Sequence, residues 1–213
     1  MRPERRYDLA LLAVGLAAAQ VAFALTFRGP RPRFWQRMTM TGLSLGGYAL
    51  AVSPESRRLR IRPVDVGLGL ASAATLYVTF QVGDRFARRF VPGGEAQIRD
   101  IYALRKLRPR GEIAARLVAI IGPAEEVFWR GFVQTTLARI LGRWRGAAAG
   151  TAAYSGVHVV TGNFTLIGAA GVAGAHWAAL SAMGMPLGAL IVSHAAWDVW
   201  IFLLQPTVDA DEA

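Results

Sequence analysis

DLALLAVGLAAAQVAFALTF, residues 8–27, carries no charge from Leu9 to Phe27, and RGPRPRFWQR, residues 28–37, follows it at once. A bilayer core takes about 20 apolar residues per helical span. The first stretch is therefore long enough to cross, and the second supplies basic headgroup contacts at its end. The alternation repeats along the chain. Apolar blocks at 8–27, 36–53, 64–82, 113–137, 146–161, 164–183 and 187–204 are separated by polar gaps such as SPESRRLRIRP, residues 53–63. The expected fold is all-α: a polytopic transmembrane helix bundle of about seven spans, forming one integral membrane domain over residues 1–213.

The composition agrees with this reading. Of 213 residues 54% are hydrophobic, and the formal net charge of +10 comes almost wholly from arginine, with Lys106 the one lysine. In a soluble chain such a charge would point to nucleic acid. Here the basic residues sit between apolar blocks, so anionic lipid headgroups are the expected partner and nucleic acid is not. The basic residues of alternate loops nearly balance and leave the orientation open. With no cysteine, a thiol nucleophile, a disulfide framework and a thiolate metal site are all excluded. The N-terminus has the outline of a signal peptide, ending in Ala22-Phe23-Ala24, but the further spans favour an uncleaved first helix.

Two features concern packing. Gly42 and Gly46 in the second block, and Gly146 and Gly150 in the fifth, have the spacing that lets helices approach closely. Residues 83–112 hold eight basic residues, yet Ile98, Ile101, Leu104 and Leu107 recur every three positions. That pattern predicts an interfacial amphipathic helix before span four, with Arg99, Arg105, Lys106 and Arg108 on its other faces and a break at Pro109 and Gly111. The tail DADEA is expected to be loose.

The informative residues are the polar ones inside the spans. Eleven of the fourteen acidic residues fall in loops, tails or span ends; Glu125, Glu126 and Asp198 do not. Arg130, His158, His176 and His194 also lie within spans. An ionisable group at membrane depth costs roughly 2.5 kcal/mol or more, so such groups pair with one another, face an interior cavity and mark function. In GPAEEVFWRGF, residues 122–132, Glu126 and Arg130 are four apart and can pair on one helix face. Glu125 then points about 100° away and must find its partner on another span. Gly122 and Pro123 just before it loosen the helix where water could enter.

In TAAYSGVHVV, residues 151–160, Tyr154 and His158 share a face. In SHAAWDVW, residues 193–200, His194 and Asp198 do the same, and a carboxylate so placed can fix the tautomer of its histidine. His176 belongs to no such pair and is assigned a packing or cavity-lining role.

The order EExxxR, F/YxxxH, HxxxN/D resembles the CPBP group, the CAAX prenyl proteases and bacteriocin-processing enzymes. Here it reads Glu125-Glu126-Val-Phe-Trp-Arg130, Tyr154-Ser-Gly-Val-His158 and His194-Ala-Ala-Trp-Asp198, within a core of about residues 112–204. The resemblance implies an intramembrane endopeptidase in which Glu125 and His158 hold and activate a water. His194 and Asp198 would stabilise the oxyanion, with Glu126, Arg130 and Tyr154 in support. Tyr154 replaces the commoner phenylalanine, and Asp198 stands where the prenyl proteases carry asparagine. Independently of the family, peptide hydrolysis needs a base for water and donors for the developing oxyanion, and these residue types supply both.

The resemblance further implies a bacterial plasma membrane and a peptide or protein substrate, a prenylated chain or a leader peptide among the candidates. No cofactor is expected. The alternative is a zinc enzyme using Glu125, His158 and His194, with Asp198 a further competent ligand. A serine nucleophile at Ser155 would leave Glu125, Glu126 and Arg130 idle. Buried charges also suit a proton-coupled transporter, but the halves show no inverted repeat. A non-catalytic immunity protein would have no need of the matched pairs.

Overall fold

In the computed structural model, residues 3–207 are described; the DADEA tail lies outside them. Among the described residues the chain is helical without a strand. Helix α1 (Pro3–Phe27) and α2 (Phe34–Val52) form an antiparallel hairpin. A single turn, α3 (Pro54–Arg57), leads to α4 (Pro63–Phe90). Helix α5 (Gly94–Tyr102) continues as a 3-10 turn, Ala103–Leu107. The long α6 runs from 110 to 141, followed by α7 (Arg143–Val157), α8 (Phe164–Ala182) and α9 (Leu187–Val199), which extends to Leu204.

All seven apolar blocks are helices. Four stretches, Arg5–Phe27, Pro63–Phe90, Phe164–Ala182 and Leu187–Leu204, are long and apolar enough by length and composition to cross a membrane. The bundle turns apolar side chains outward and holds buried polar ones within a core that is otherwise apolar. Leu25, Val78, Val82 and Phe86 are each about 60% exposed, while Glu126, Ser193 and Asp65 are fully buried. That arrangement suits a lipid surround, where helices associate through close packing and internal polar contacts.

The glycine spacing works as expected. A methyl group on Gly46 would lie 3.0 Å from the Ala124 side chain, and one on Gly42 would lie 3.5 Å from it. Helix α2 thus rests directly on the residue before Glu125. Gly122 makes a second close approach, to the Ala195 backbone of α9. Between α6 and α7 the chain reverses at Gly142, whose φ of 87° is open to glycine alone at little cost.

Helix α6 is wider than an α-helix on both sides of the glutamates. Leu117–Ile121 and Val127–Gln134 are π-helical, and Gly122–Glu126 between them is α. Pro123 has no N–H to donate, and π-helical turns commonly mark functional positions. Carbonyls of the second π-helical stretch take side-chain donors as well. Ser56 Oγ donates to Val127 O at 3.2 Å, Ser53 Oγ to Gly131 O at 3.2 Å, and Thr135 Oγ1 to Arg130 O at 2.8 Å. In an apolar surround such side-chain donors are what make an irregular helix tolerable.

The segment before α6 departs from the expected pattern in two places. Ile98 is buried as expected, and Tyr102 joins it with its hydroxyl donating to Ile201 O at 3.0 Å. Arg105, however, is only 8% exposed. The tighter 3-10 turn brings it back over the Tyr102 ring at 4.9 Å, on the protein side and not on an outward face. The break comes at Pro109 alone, since Gly111 already lies in the first turn of α6.

Candidate active site

Three helices deliver the polar groups. Helix α6 carries Glu125, Glu126 and Arg130 at mid-length, α7 carries Tyr154 near its end, and α9 carries His194 and Asp198. Glu126 is the hub. Its Oε1 accepts from Arg130 Nη1 at 2.9 Å and from His194 Nδ1 at 2.7 Å, with all three side chains no more than 4% exposed. A carboxylate taking a guanidinium bond is ionised, so the proton on the imidazole side belongs to Nδ1. Arg130 is completed by a bond from Nη2 to Gly174 O at 3.2 Å and by the rings of Tyr154 and Trp177, 4.9 and 5.3 Å away.

Glu125 finds its partner on another helix, as its direction on α6 requires. The Tyr154 hydroxyl donates to its Oε2 at 3.0 Å, and His194 Nε2 lies 4.0 Å from the same oxygen. That nitrogen also stands 3.6 Å from Asp198 Oδ2. Three carboxyl groups therefore face one guanidinium and one imidazole in a nearly dry pocket, where each remaining lone pair needs a proton or a water.

The expected pairing of His194 with Asp198 is present as an ion-pair contact and not as a hydrogen bond. At 3.6 Å the two are close enough for charge interaction but too far for a hydrogen bond. Glu126 takes the orienting role at Nδ1, because α9 crosses α6 with His194 directly over it. One-turn spacing brought Asp198 near the imidazole, and a better-aimed carboxylate from another helix won the bond.

His158 is one step removed. Its Nδ1 meets Tyr154 O at 2.9 Å, and its ring packs against Tyr154, Phe23 and Phe27 at centroid distances of 5.2, 5.0 and 6.0 Å. It joins the cluster through Tyr154, the residue that holds Glu125, and its Nε2 remains for a further partner. Ser155 is spent elsewhere, donating to Ile167 O at 2.9 Å.

A zinc centre requires three or four convergent ligands. Among the described residues no three His, Asp or Glu side chains are grouped to hold a metal ion. Glu126 and His194 Nδ1 are already bonded to each other. That bond leaves Nε2 as the remaining nitrogen of the imidazole, and every step proposed below runs through the chain's own side chains.

Sequence reasoning missed Trp177. Its indole is fully buried and stacks on His194, with centroids 4.0 Å apart and planes 20° from parallel. A tryptophan in GVAGAHWAAL reads as ordinary apolar filling; only the crossing of α8 and α9 reveals the contact.

A helical bundle with an apolar surface and a buried acid–histidine–arginine cluster is an integral membrane protein with a polar site at the centre of its bundle. Residues 112–200 match the family model described as Rce1-like, type II CAAX prenyl endopeptidase. That segment, which holds every residue of the cluster, is thus similar to the CAAX-type intramembrane peptidases. No curated protein and no solved structure matches it.

Proposed function

We propose that the chain is an intramembrane glutamic endopeptidase in which Glu125, assisted by His158, activates the attacking water. One observation carries the reading: the two adjacent glutamates are differently occupied. Glu126 is committed to Arg130 and His194 through a single oxygen. Glu125 has one oxygen steadied by Tyr154, and among the described residues the other has no protein partner to displace, whereas the unpartnered Oε2 of Glu126 is sealed inside the packing. A base must have a free lone pair aimed at its water, and Glu125 has one.

In the attack step Glu125 takes a proton from water as the oxygen bonds to the scissile carbonyl carbon. His158, beside Tyr154, offers Nε2 to the same water. With Nδ1–H bonded to Glu126, a second proton on Nε2 makes His194 an imidazolium between Glu126 and Asp198. Its Nε2–H then donates to the oxyanion. Glu125 returns its proton to the leaving amine as the tetrahedral intermediate collapses. Substrates of this reading are peptides or proteins presented from the bilayer, prenylated chains or leader peptides among them, and the host membrane is a bacterial plasma membrane.

The test is purified protein in detergent incubated with a peptide library, the cuts being identified by mass spectrometry. Cleavage should persist in a metal-depleted preparation held in chelator. Activity lost on chelation and restored by zinc would move the water onto a metal. No cleavage of any peptide by protein shown to be folded would remove the hydrolase reading.

A further inference from the structure

His194 needs more than its bond to Glu126. A single hydrogen bond at Nδ1, with the covalent bond at Cγ, leaves the imidazole plane free to tilt as χ1 and χ2 adjust. Tilting would carry Nε2 out of the gap between Glu125 and Asp198. The Trp177 indole closes that freedom, lying nearly parallel to the imidazole at 4.0 Å.

The indole is itself anchored. Trp177 Nε1 donates to Ser193 Oγ at 3.0 Å, Ser193 Oγ lies 2.8 Å from Ser72 Oγ, and Ser72 Oγ lies 2.9 Å from His176 Nε2. The direction of this chain follows from its protons. Ser193 is fully buried and accepts from the indole, so its own proton needs an acceptor, and Ser72 is the one in reach. Ser72 then passes its proton to His176 Nε2, which must be the unprotonated nitrogen of that ring. Run the other way, the Ser193 proton would be stranded. The chain crosses three helices, α8, α9 and α4, and ends at a histidine the hydrolytic site does not use. Ser193 adjoins His194, so Trp177 grips two consecutive residues of α9, one by its edge and one by its face.

We infer that Trp177 is a positioning residue for His194, holding the imidazole plane through a stack that is anchored by Ser193, Ser72 and His176. It rests on His194 belonging to the reactive cluster, and it adds to that reading a residue outside the three motifs. A misplacement of about 1 Å in a reacting group can cost about a hundredfold in rate, so the loss should fall on kcat with little effect on KM.

The test uses full-length protein with 15N-labelled histidine in detergent, together with kinetics. Wild type should give one sharp set of ring-nitrogen signals for His194. Trp177→Leu should broaden or split that set, and should lower kcat about tenfold to a hundredfold with KM within about twofold. Trp177→Phe keeps a ring over the imidazole and should restore a single set and most of kcat. Ser193→Ala, which frees the indole edge, should fall between. Unaltered His194 signals in Trp177→Leu would overturn the inference, as would a Phe variant no better than Leu. Should the wild type cleave no peptide, the hydrolase reading fails while the nitrogen signals still decide the role of Trp177.

Discussion

Replacing Arg130 with alanine should destabilise the protein more than any single change at its surface. The guanidinium is 3% exposed, and Glu126, its partner at 2.9 Å, is fully buried. Alanine removes that bond, the bond to Gly174 O and the cation that lies against Tyr154 and Trp177. Among the described residues it leaves the Glu126 carboxylate with the His194 Nδ1–H as its one remaining donor. Removing one partner of a buried ion pair costs about 3–5 kcal/mol, because the other charge is stranded. For a chain of this size that corresponds to a fall of about 6–20 °C in the unfolding midpoint. Arg130→Lys should recover part of it, keeping the charge but losing the fork that reaches Glu126 and Gly174 together. The measurement is thermal unfolding in detergent, followed by tryptophan fluorescence, for wild type, Arg130→Ala, Glu126→Gln and the double variant. The double variant should be less damaged than the sum of the singles, since the neutral amide of Glu126→Gln strands no charge once Arg130 is gone. Additive losses, or an alanine variant that melts with the wild type, would refute the stranded-charge argument.

Glu125→Gln should reduce hydrolysis by about 10²–10⁴-fold while the protein inserts and melts normally, because it removes the base and keeps the shape; turnover near wild type would mean the base lies elsewhere. Gly46→Leu should lower both stability and activity, as its side chain would drive α2 off Ala124 beside Glu125, whereas a Cβ at Gly47 meets nothing within 4 Å and Gly47→Leu should change neither. Parallel melting and activity curves for the two leucine variants would show whether that packing matters. Asp198→Asn should lower activity modestly and alter the pH–rate profile, since it removes a charge 3.6 Å from His194 Nε2 and keeps a group of the same shape. Asp198→Ala should cost far more, and an alanine variant as active as wild type would take Asp198 out of the site.

The helices were legible because the bilayer imposes a coarse rule: blocks of apolar residues, closed by arginine clusters in the first two thirds of the chain and by glycine-containing turns after it. Even the irregular middle of α6 had a visible sign in Gly122-Pro123. Its π-helical turns did not, and neither did the contacts across them, in which Ser56 of α3 donates to Val127 O and Ser53, its N-cap, donates to Gly131 O. The Glu126–Arg130 pair was legible for a related reason. Both partners lie on one helix, where four-residue spacing fixes the geometry.

Spacing along a helix says which groups can meet, but it does not say which competitor from another helix will meet them better. His194 and Asp198 have the same separation as Glu126 and Arg130, yet only the latter pair bonds. The difference lies in what faces each pair. Arg130 looks across at Gly174 O and two aromatic faces, none of which competes for its charge. His194 looks across at two glutamates, and Glu126 reaches its Nδ1 first. That exchange frees Asp198 from orienting the imidazole and leaves it beside Nε2. Held there, the carboxylate can offset the positive charge of an imidazolium in the resting site. It would also repel a nearby oxyanion, unless the proton lies between them. The position thus couples the charge of His194 to the chemistry at Glu125, which is why the Asp198 variants should be read by their pH dependence as well as by rate.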